Sequence, residues 1–271
     1  MKIDQFFHHF HNELELNPAL YPYYKLNRGS DSVREFRKNY FIQRLSYIDN
    51  QIDKSNHPVV MDCGCGYGTT CLYLAMNGIA TKGTTLEYYF QEIENRKKYW
   101  SQYGDSELFS WNYENIFDNP PAPESFDYII LQDTLHHIEP VDKALTILYN
   151  ALKKGGKLIL IEINGSCLLE SLIYFMKRGN KRIINFYDDK LKKTISMGNE
   201  NFRSEKKWRN LFKEAGFDID NNAVQYIRFL LPLFFKKNNG SKIIEVEQKI
   251  ASRCSLLKKY GFFGLNMVFT K

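Results

Sequence analysis

Two short stretches hold the side chains best suited to chemistry. VVMDCGCGYGTT, residues 59–70, sets Asp62, Cys63 and Cys65 among Gly64, Gly66 and Gly68, directly after an apolar run. QDTLHHI, residues 132–138, places Asp133 close to His136 and His137, again after an apolar run. A carboxylate near an imidazole supplies the parts of acid–base catalysis, because imidazole exchanges its proton near neutral pH. The cysteines invite a metal or redox reading. A zinc site needs about four Cys or His ligands in spaced pairs, and no second pair follows; a thioredoxin-like site separates its cysteines by two residues, not one. What remains is a glycine-rich turn from strand to helix, where small residues let a ligand approach the backbone and unpaired N–H groups meet it. Its G-x-G-x-G spacing departs from the G-x-G-x-x-G of dinucleotide-binding loops. Cys63, Cys65 and Cys71 are read as small packing residues, and no metal site is expected.

These residues need elements to position them. PVVMDC, ATKGTTL, ELFSWN, FDYIILQD and KLILIEIN read as strands, with TTCLYLAMNG, YYFQEIENRKKYWSQYG and VDKALTILYNALKKGG as intervening helices, the last closed by its glycines. Such alternation predicts an α/β fold with a mostly parallel sheet and helices on both faces. CLLESLIYFMKR and SEKKWRNLFKEAGF predict further helices, and VQYIRFLL and GLNMVFT the last strands of the same domain. Upstream, SDSVREFRKNYFIQRLSYI carries Val33, Phe36, Tyr40, Phe41 and Leu45 at helical spacing behind a Ser/Asp start. Residues 1–57 are therefore expected to form a helical cover or lid, and residues 58–271 the α/β domain.

Composition sets the class. A chain of 271 residues, 44% hydrophobic and 15% aromatic, has enough apolar material for a full core. Its 5 cysteines form an odd set without the spacing of a disulfide framework, as reduced thiols do. The first residues lack the pattern of a secretory signal, and no stretch approaches the roughly 18 apolar residues of a membrane span, so a cytoplasmic location is expected. The net charge of +6 is mild. Lys and Arg gather after residue 177 in KRGNKR, KLKK and EKKWR, read as a solvated face, with attraction to an acidic substrate or a membrane surface as the alternative.

From Val59 through Glu162 the chain resembles the class I S-adenosylmethionine-dependent methyltransferases. The resemblance implies a Rossmann-like seven-stranded sheet of order 3-2-1-4-5-7-6 and S-adenosyl-L-methionine as cofactor, S-adenosyl-L-homocysteine being the product. Asp62, Gly64 and Gly66 match the family's first motif, which faces the methionine part, and Cys65 and Gln132 stand in the same surroundings. Glu87 in TKGTTLEYY matches the acid that takes the ribose hydroxyls, and Tyr88 the residue that packs on adenine. The third strand reads FSWNYEN, with Asn112 where the family usually has an acid for the adenine amino group; an Asn carbonyl can still accept that bond, and Tyr113 adjoins it.

Catalysis is expected after the fourth strand, where open α/β sheets bind ligands. The arrangement D-T-x-x-H-I resembles the phosphoethanolamine methyltransferases, in which the acid contacts the amine and the histidine takes part in catalysis; Asp133 and His137 occupy those positions. His137 is the first candidate for the base or orienting group and His136 the second, with a purely structural pair as the alternative. The acceptor is expected to be a small molecule, hydrophobic or anionic, methylated on oxygen in preference to nitrogen or carbon. Its recognition falls to residues 1–57, where Tyr21, Tyr23 and Tyr24 could close over the site, and to an insertion at 165–205. IRFLLPLFFKK, residues 227–237, is expected to end in the core. The chain has neither an added RNA-binding module nor an N-P-P-Y/F-like motif, so no nucleic-acid partner is expected. The alternatives are a methyltransferase-like binding protein without catalysis and, less favoured by the loop spacing, an NAD-dependent oxidoreductase.

Overall fold

The computed structural model describes residues 1–26, 29–86, 90–237 and 239–271. Three helices come first: α1 (Ile3–Leu16), the short α2 (Tyr21–Tyr24) and α3 (Asp31–Gln51). The alternating part follows as β1 (Val59–Cys63), α4 (Thr69–Ala75), β2 (Ala80–Thr85), α5 (Glu92–Trp100), β3 (Phe109–Tyr113), β4 (Phe126–Gln132), α6 (Val141–Ala151) and β5 (Leu152–Ile163). Then come α7 (Leu168–Arg178), β6 (Ile183–Asp188), β7 (Lys193–Gly198), α8 (Glu205–Glu214), β8 (Asp218–Ile219), β9 (Gln225–Ile227), α9 (Gly240–Arg253), α10 (Ser255–Gly261) and β10 (Gly264–Thr270).

The main sheet runs β3-β2-β1-β4-β5-β10-β8, with β9 also paired to β10. Counting β8 as the sixth strand and β10 as the seventh reproduces the expected order 3-2-1-4-5-7-6; β9 makes the sheet eight-stranded. The first five are parallel neighbours, and β10 is antiparallel to β5, β8 and β9. A sheet covered on both faces needs apolar residues at consecutive positions, and the strands supply them. Val60, Ile130, Ile159, Ile161 and Val268 enter one core with α1, α3, α4 and α5. Their neighbours Met61, Ile129, Leu131, Leu158, Leu160 and Met267 enter the other, with α6 and α8. Side chains of alternating sense thus serve two cores from one strand. The first core crosses the chain boundary at residues 57 and 58, since Phe6, Phe10 and Leu14 of α1 and Ile48 of α3 belong to it.

Some segments depart from expectation. The helix expected to run to the double glycine stops at Ala151, because Leu152 is fully buried as the strand partner of Phe126. Gln225–Ile227 is the only strand within VQYIRFLL. Beyond it Leu231, Leu233 and Phe234 are exposed and Phe235 alone is buried, so this segment ends at the surface and not in the core. Residues 183–198 form an antiparallel hairpin, β6–β7, outside the main sheet. Asp188 holds its turn by accepting from the backbone N–H groups of Lys190 and Leu191.

Candidate active site

The loop after β1 is left-handed at Gly64, Gly66 and Gly68, with φ of 84°, 55° and 74°. Backbone N–H groups of Gly64 and Cys65 both donate to the Thr84 carbonyl at 2.9 Å, which fixes the loop against the end of β2. A Cβ on Gly64 would strike the Thr134 side chain close to its backbone, so glycine is required there for space as well as for φ, and one on Gly66 would meet the Tyr23 hydroxyl. Asp62 ends up buried beneath this turn. Its Oδ2 accepts a weak bond from the Cys71 thiol at 3.6 Å, while Oδ1 is buried without a hydrogen-bond partner. Burial pushes its pKa up to about 7, only partly opposed by the thiol.

In front of the loop lies a cavity of about 580 Å³. Asp62, Gly64, Cys65 and Gly66 line one part of it, and Gln132, Asp133 and His137 another. The N-terminal helices contribute Tyr23, Tyr24 and Arg44, and the hairpin contributes Phe186, Ile195 and Met197. This is the opening at the carboxyl ends of β1 and β4, where the strand order reverses direction and ligands settle in such sheets.

The two adjacent histidines occupy different environments. His136 is 3% exposed; its Nδ1 meets Glu162 at 2.6 Å and its Nε2 lies 3.6 Å from Glu200. Burial alone would lower its pKa, but Glu162, with Asp133 and Glu200, outweighs burial and raises it above the ordinary imidazole value, so the carboxylates around His136 favour its protonated form. It does not line the cavity. His137 does, and its Nδ1 lies 3.0 Å from the Gly198 carbonyl. A carbonyl only accepts, so Nδ1 carries the proton and the neutral ring keeps its lone pair on Nε2. Burial, then the charge on His136, lowers the His137 pKa below its ordinary value. His136, His137 and Glu200 also offer donor atoms within 4.8 Å of one another, with His136 Nδ1 already engaged by Glu162 at 2.6 Å.

The helical cover is locked onto this site by two arginines. Arg96 of α5, with no exposed surface, donates through Nε and Nη2 to both oxygens of Glu13 at 2.8 Å. Its Nη1 reaches the Tyr24 hydroxyl, the Tyr67 carbonyl and Thr69 Oγ1, and Trp100 Nε1 donates to Glu13 at 2.9 Å. One buried cation therefore joins α1, α2 and the glycine turn. The second is Arg44 of α3, which pairs with Asp133 and lies 4.7 Å from the Tyr40 ring centre. Burial works against the Arg44 charge, and Asp133 outweighs it, raising the pKa. Asp133 itself sits at a left-handed φ of 52°, and its Oδ1 is buried without a partner.

Of the residues singled out in the sequence, Asp62, Gly64, Cys65, Gly66, Gln132, Asp133 and His137 come together around the cavity. Glu87 and Tyr88 lie outside the described residues. Asn112 is exposed, with its amide 3.4 Å from Glu114, and the cavity wall is instead made by Glu114 and Asn115. Tyr113 donates to Asp188 at 2.6 Å and so ties β3 to the hairpin. Tyr23 and Tyr24 line the cavity while Tyr21 packs on the core. Arg44, Glu114 and Asn115 were not singled out. An arginine in an amphipathic helix carries no sign of a partner far along the chain, whereas the Glu-Asn pair just past β3 was within reach of a reading that allowed the strand two more residues.

Residues 33–222 match the profile of the methyltransferase-domain family. An S-adenosyl-L-methionine-dependent Diels-Alderase of Talaromyces variabilis is 25% identical over 198 residues, 67% of this chain and 64% of its own. An O-methyltransferase of Aspergillus sclerotiorum is 23% identical over 212 residues, 75% of this chain and 72% of its own. Among solved structures, phosphoethanolamine N-methyltransferase 2 of Haemonchus contortus, in complex with S-adenosyl-L-methionine, superposes with a TM-score of 0.57 at 18% identity, over 84% of this chain and 52% of that one. The chain spans 7%, 27% and 64% of the first three curated relatives it matches.

Proposed function

The chain belongs to the methyltransferase-domain family, and on that premise we propose that it moves a methyl group from S-adenosyl-L-methionine to a small-molecule acceptor, on oxygen, in the cavity between the glycine turn and the N-terminal helices. The observation that carries this reading is a single cavity joining the Gly64–Gly66 turn to His137. The cofactor supplies a methyl group on a positively charged sulfur, reactive without covalent help from the protein. The residues fit it: Asp62 Oδ1 is a buried acceptor lacking a donor, and the turn presents backbone with no Cβ in front of it. Asp62, Gly64, Cys65 and Gly66 would hold the methionine part, Glu87 and Tyr88 the nucleoside, and Gln132 the region between. Glu114 or Asn115, which both line the cavity, would make the adenine contact expected of Asn112.

The chain's remaining tasks are to orient the acceptor, keep water away and accept a proton. His137 Nε2 is the acceptor of that proton, set in the correct tautomer by the Gly198 carbonyl and kept neutral by its lowered pKa. His136, whose ring faces Glu162 and Glu200 outside the cavity lining, would position this segment and not contact the acceptor. Asp133 offers Oδ1 to the acceptor while Arg44 holds its other oxygen. The apolar wall of Phe186, Ile195 and Met197 suits an acceptor with a hydrophobic portion.

Calorimetry with S-adenosyl-L-methionine, followed by mass spectrometry of products from a panel of hydroxylated and amino acceptors, tests the reading. Binding near the micromolar range, about −8 kcal/mol, and a methyl-bearing product are expected. Likeness to a Diels-Alderase favours one second reading, in which the cofactor is bound but the acceptor is only folded and cyclised; a product of unchanged mass, formed only in the cofactor's presence, would establish it.

A further inference from the structure

Helix α7 has no buried residue. Leu168, Leu169, Leu172, Phe175 and Met176 fall on one helical face and are between 48% and 69% exposed. The opposite face anchors the helix: Glu170 pairs with Arg228 at 3.4 Å and Tyr174 meets Phe202 edge-on with ring centres 4.6 Å apart. The apolar stripe is therefore turned outward by its own docking. Single exposed leucines are ordinary, but a contiguous stripe of five large side chains on a fixed helix is not.

Basic residues border this stripe. A cleft of about 480 Å³ is walled by Leu172 and Phe175 from α7 and by Arg178, Arg182 and Lys207. Nε and Nη1 of Arg178 are buried with no hydrogen-bond partner among the described residues. Burial, then the charge of Arg182, lowers the pKa of Arg178, and Glu200 only partly compensates. The cleft thus holds donors and positive charge in want of an anion, beside a hydrocarbon face.

Two adjoining segments repeat the pattern. Exposed Leu231, Leu233 and Phe234 precede Lys236 and Lys237, and exposed Leu256 and Leu257 precede Lys258 and Lys259. The second adjoins the start of α7, where the Cys167 thiol lies 3.9 Å from the Gly261 carbonyl, and the first begins three residues after Arg228, the partner of Glu170 on α7. We propose that α7, the cleft beside it and these two segments form a surface that docks on an anionic phospholipid bilayer, with the apolar side chains in the acyl boundary and a lipid phosphate in the Arg178–Arg182–Lys207 cleft. Charge complementarity selects this occupant: a second copy of the chain would bring the same cations face to face, whereas an interfacial helix pairs an apolar stripe with a basic rim. No helix among the described residues is long and apolar enough to cross a membrane.

Co-sedimentation with vesicles of phosphatidylcholine, with and without phosphatidylglycerol, tests this, and needs neither cofactor nor acceptor. Binding is expected only to the anionic vesicles and should weaken steeply with salt. Millimolar inorganic phosphate should not displace the protein; complete displacement would make the cleft a site for free phosphate and overturn the docking. The exposed double variant Leu172→Glu/Phe175→Glu should lower vesicle affinity by about tenfold or more, and Lys236→Glu/Lys237→Glu by a similar factor, with unchanged melting temperature. Arg178→Gln should remove the preference for anionic lipid. Equal binding to neutral vesicles, no binding at all, or a solution dimer that the Leu172/Phe175 variant dissociates would each overturn the proposal.

Discussion

Arg44 of α3 is ion-paired with Asp133, the residue that follows β4. The pair brings the N-terminal helices to the point where the acceptor is proposed to bind, so a change in the cover is felt in the site. The Asp133 side chain is 35% exposed, which softens the loss on breaking the pair to about 1–3 kcal/mol. Arg44→Met should accordingly lower the melting temperature modestly and raise the acceptor KM, with cofactor affinity nearly constant. Equal losses in cofactor and acceptor binding would place Arg44 in general stability instead.

The Glu13–Arg96 pair is different because neither partner is appreciably exposed and every polar group in it has a mate. Removing Glu13 strands a buried guanidinium. Glu13→Ala should cost about 3–5 kcal/mol by denaturant unfolding and also weaken cofactor binding, since Arg96 carries the Tyr67 carbonyl and Thr69 of the glycine turn.

Asp62 gives a pH dependence with a definite sign. Its folded pKa of about 7 lies above the usual carboxylate value, so between about pH 4 and 7 the folded state binds the extra proton. The stabilisation from that proton is present at acid pH and lost as pH rises through 7. The ligand-free melting temperature should fall across this window more steeply than in Asp62→Asn. If the ionised carboxylate meets the cofactor's ammonium, cofactor affinity should rise with pH by up to about tenfold per unit below 7 and level off above it. Calorimetry at several pH values reads both the affinity and the proton released.

His137→Ala should lower kcat by roughly 10²- to 10⁴-fold with cofactor affinity almost unchanged. Because burial and His136 depress the His137 pKa, the acid limb of the parental pH–rate profile belongs below the ordinary imidazole value of about 6.5. The variant should lack that limb. His136→Ala should instead destabilise the fold, leaving the Glu162 carboxyl buried without its imidazole partner.

The sequence by itself determined the sheet and the turn. Consecutive apolar residues in VVMDC, YIILQ and LILIEI can be buried only in a two-sided sheet, and Gly64, Gly66 and Gly68 mark a left-handed turn because side chains resist positive φ. Asp62, Asp133 and His137 were legible as candidates because Asp62 stands at the end of one strand and the other two come after another, and strand ends converge in a parallel sheet. Tertiary structure alone decided the rest. The D-T-x-x-H-I pattern ranked His137 first, but that His136 faces Glu162 while His137 faces the cavity depends on backbone placement at two neighbouring positions. That Arg44 meets Asp133, and Arg96 meets Glu13, follows from packing α1 and α3 on the sheet, a long-range event with no local signal. The outward stripe of α7 was decided in the same way, since an apolar helical face is identical in sequence whether a core covers it or leaves it to a partner.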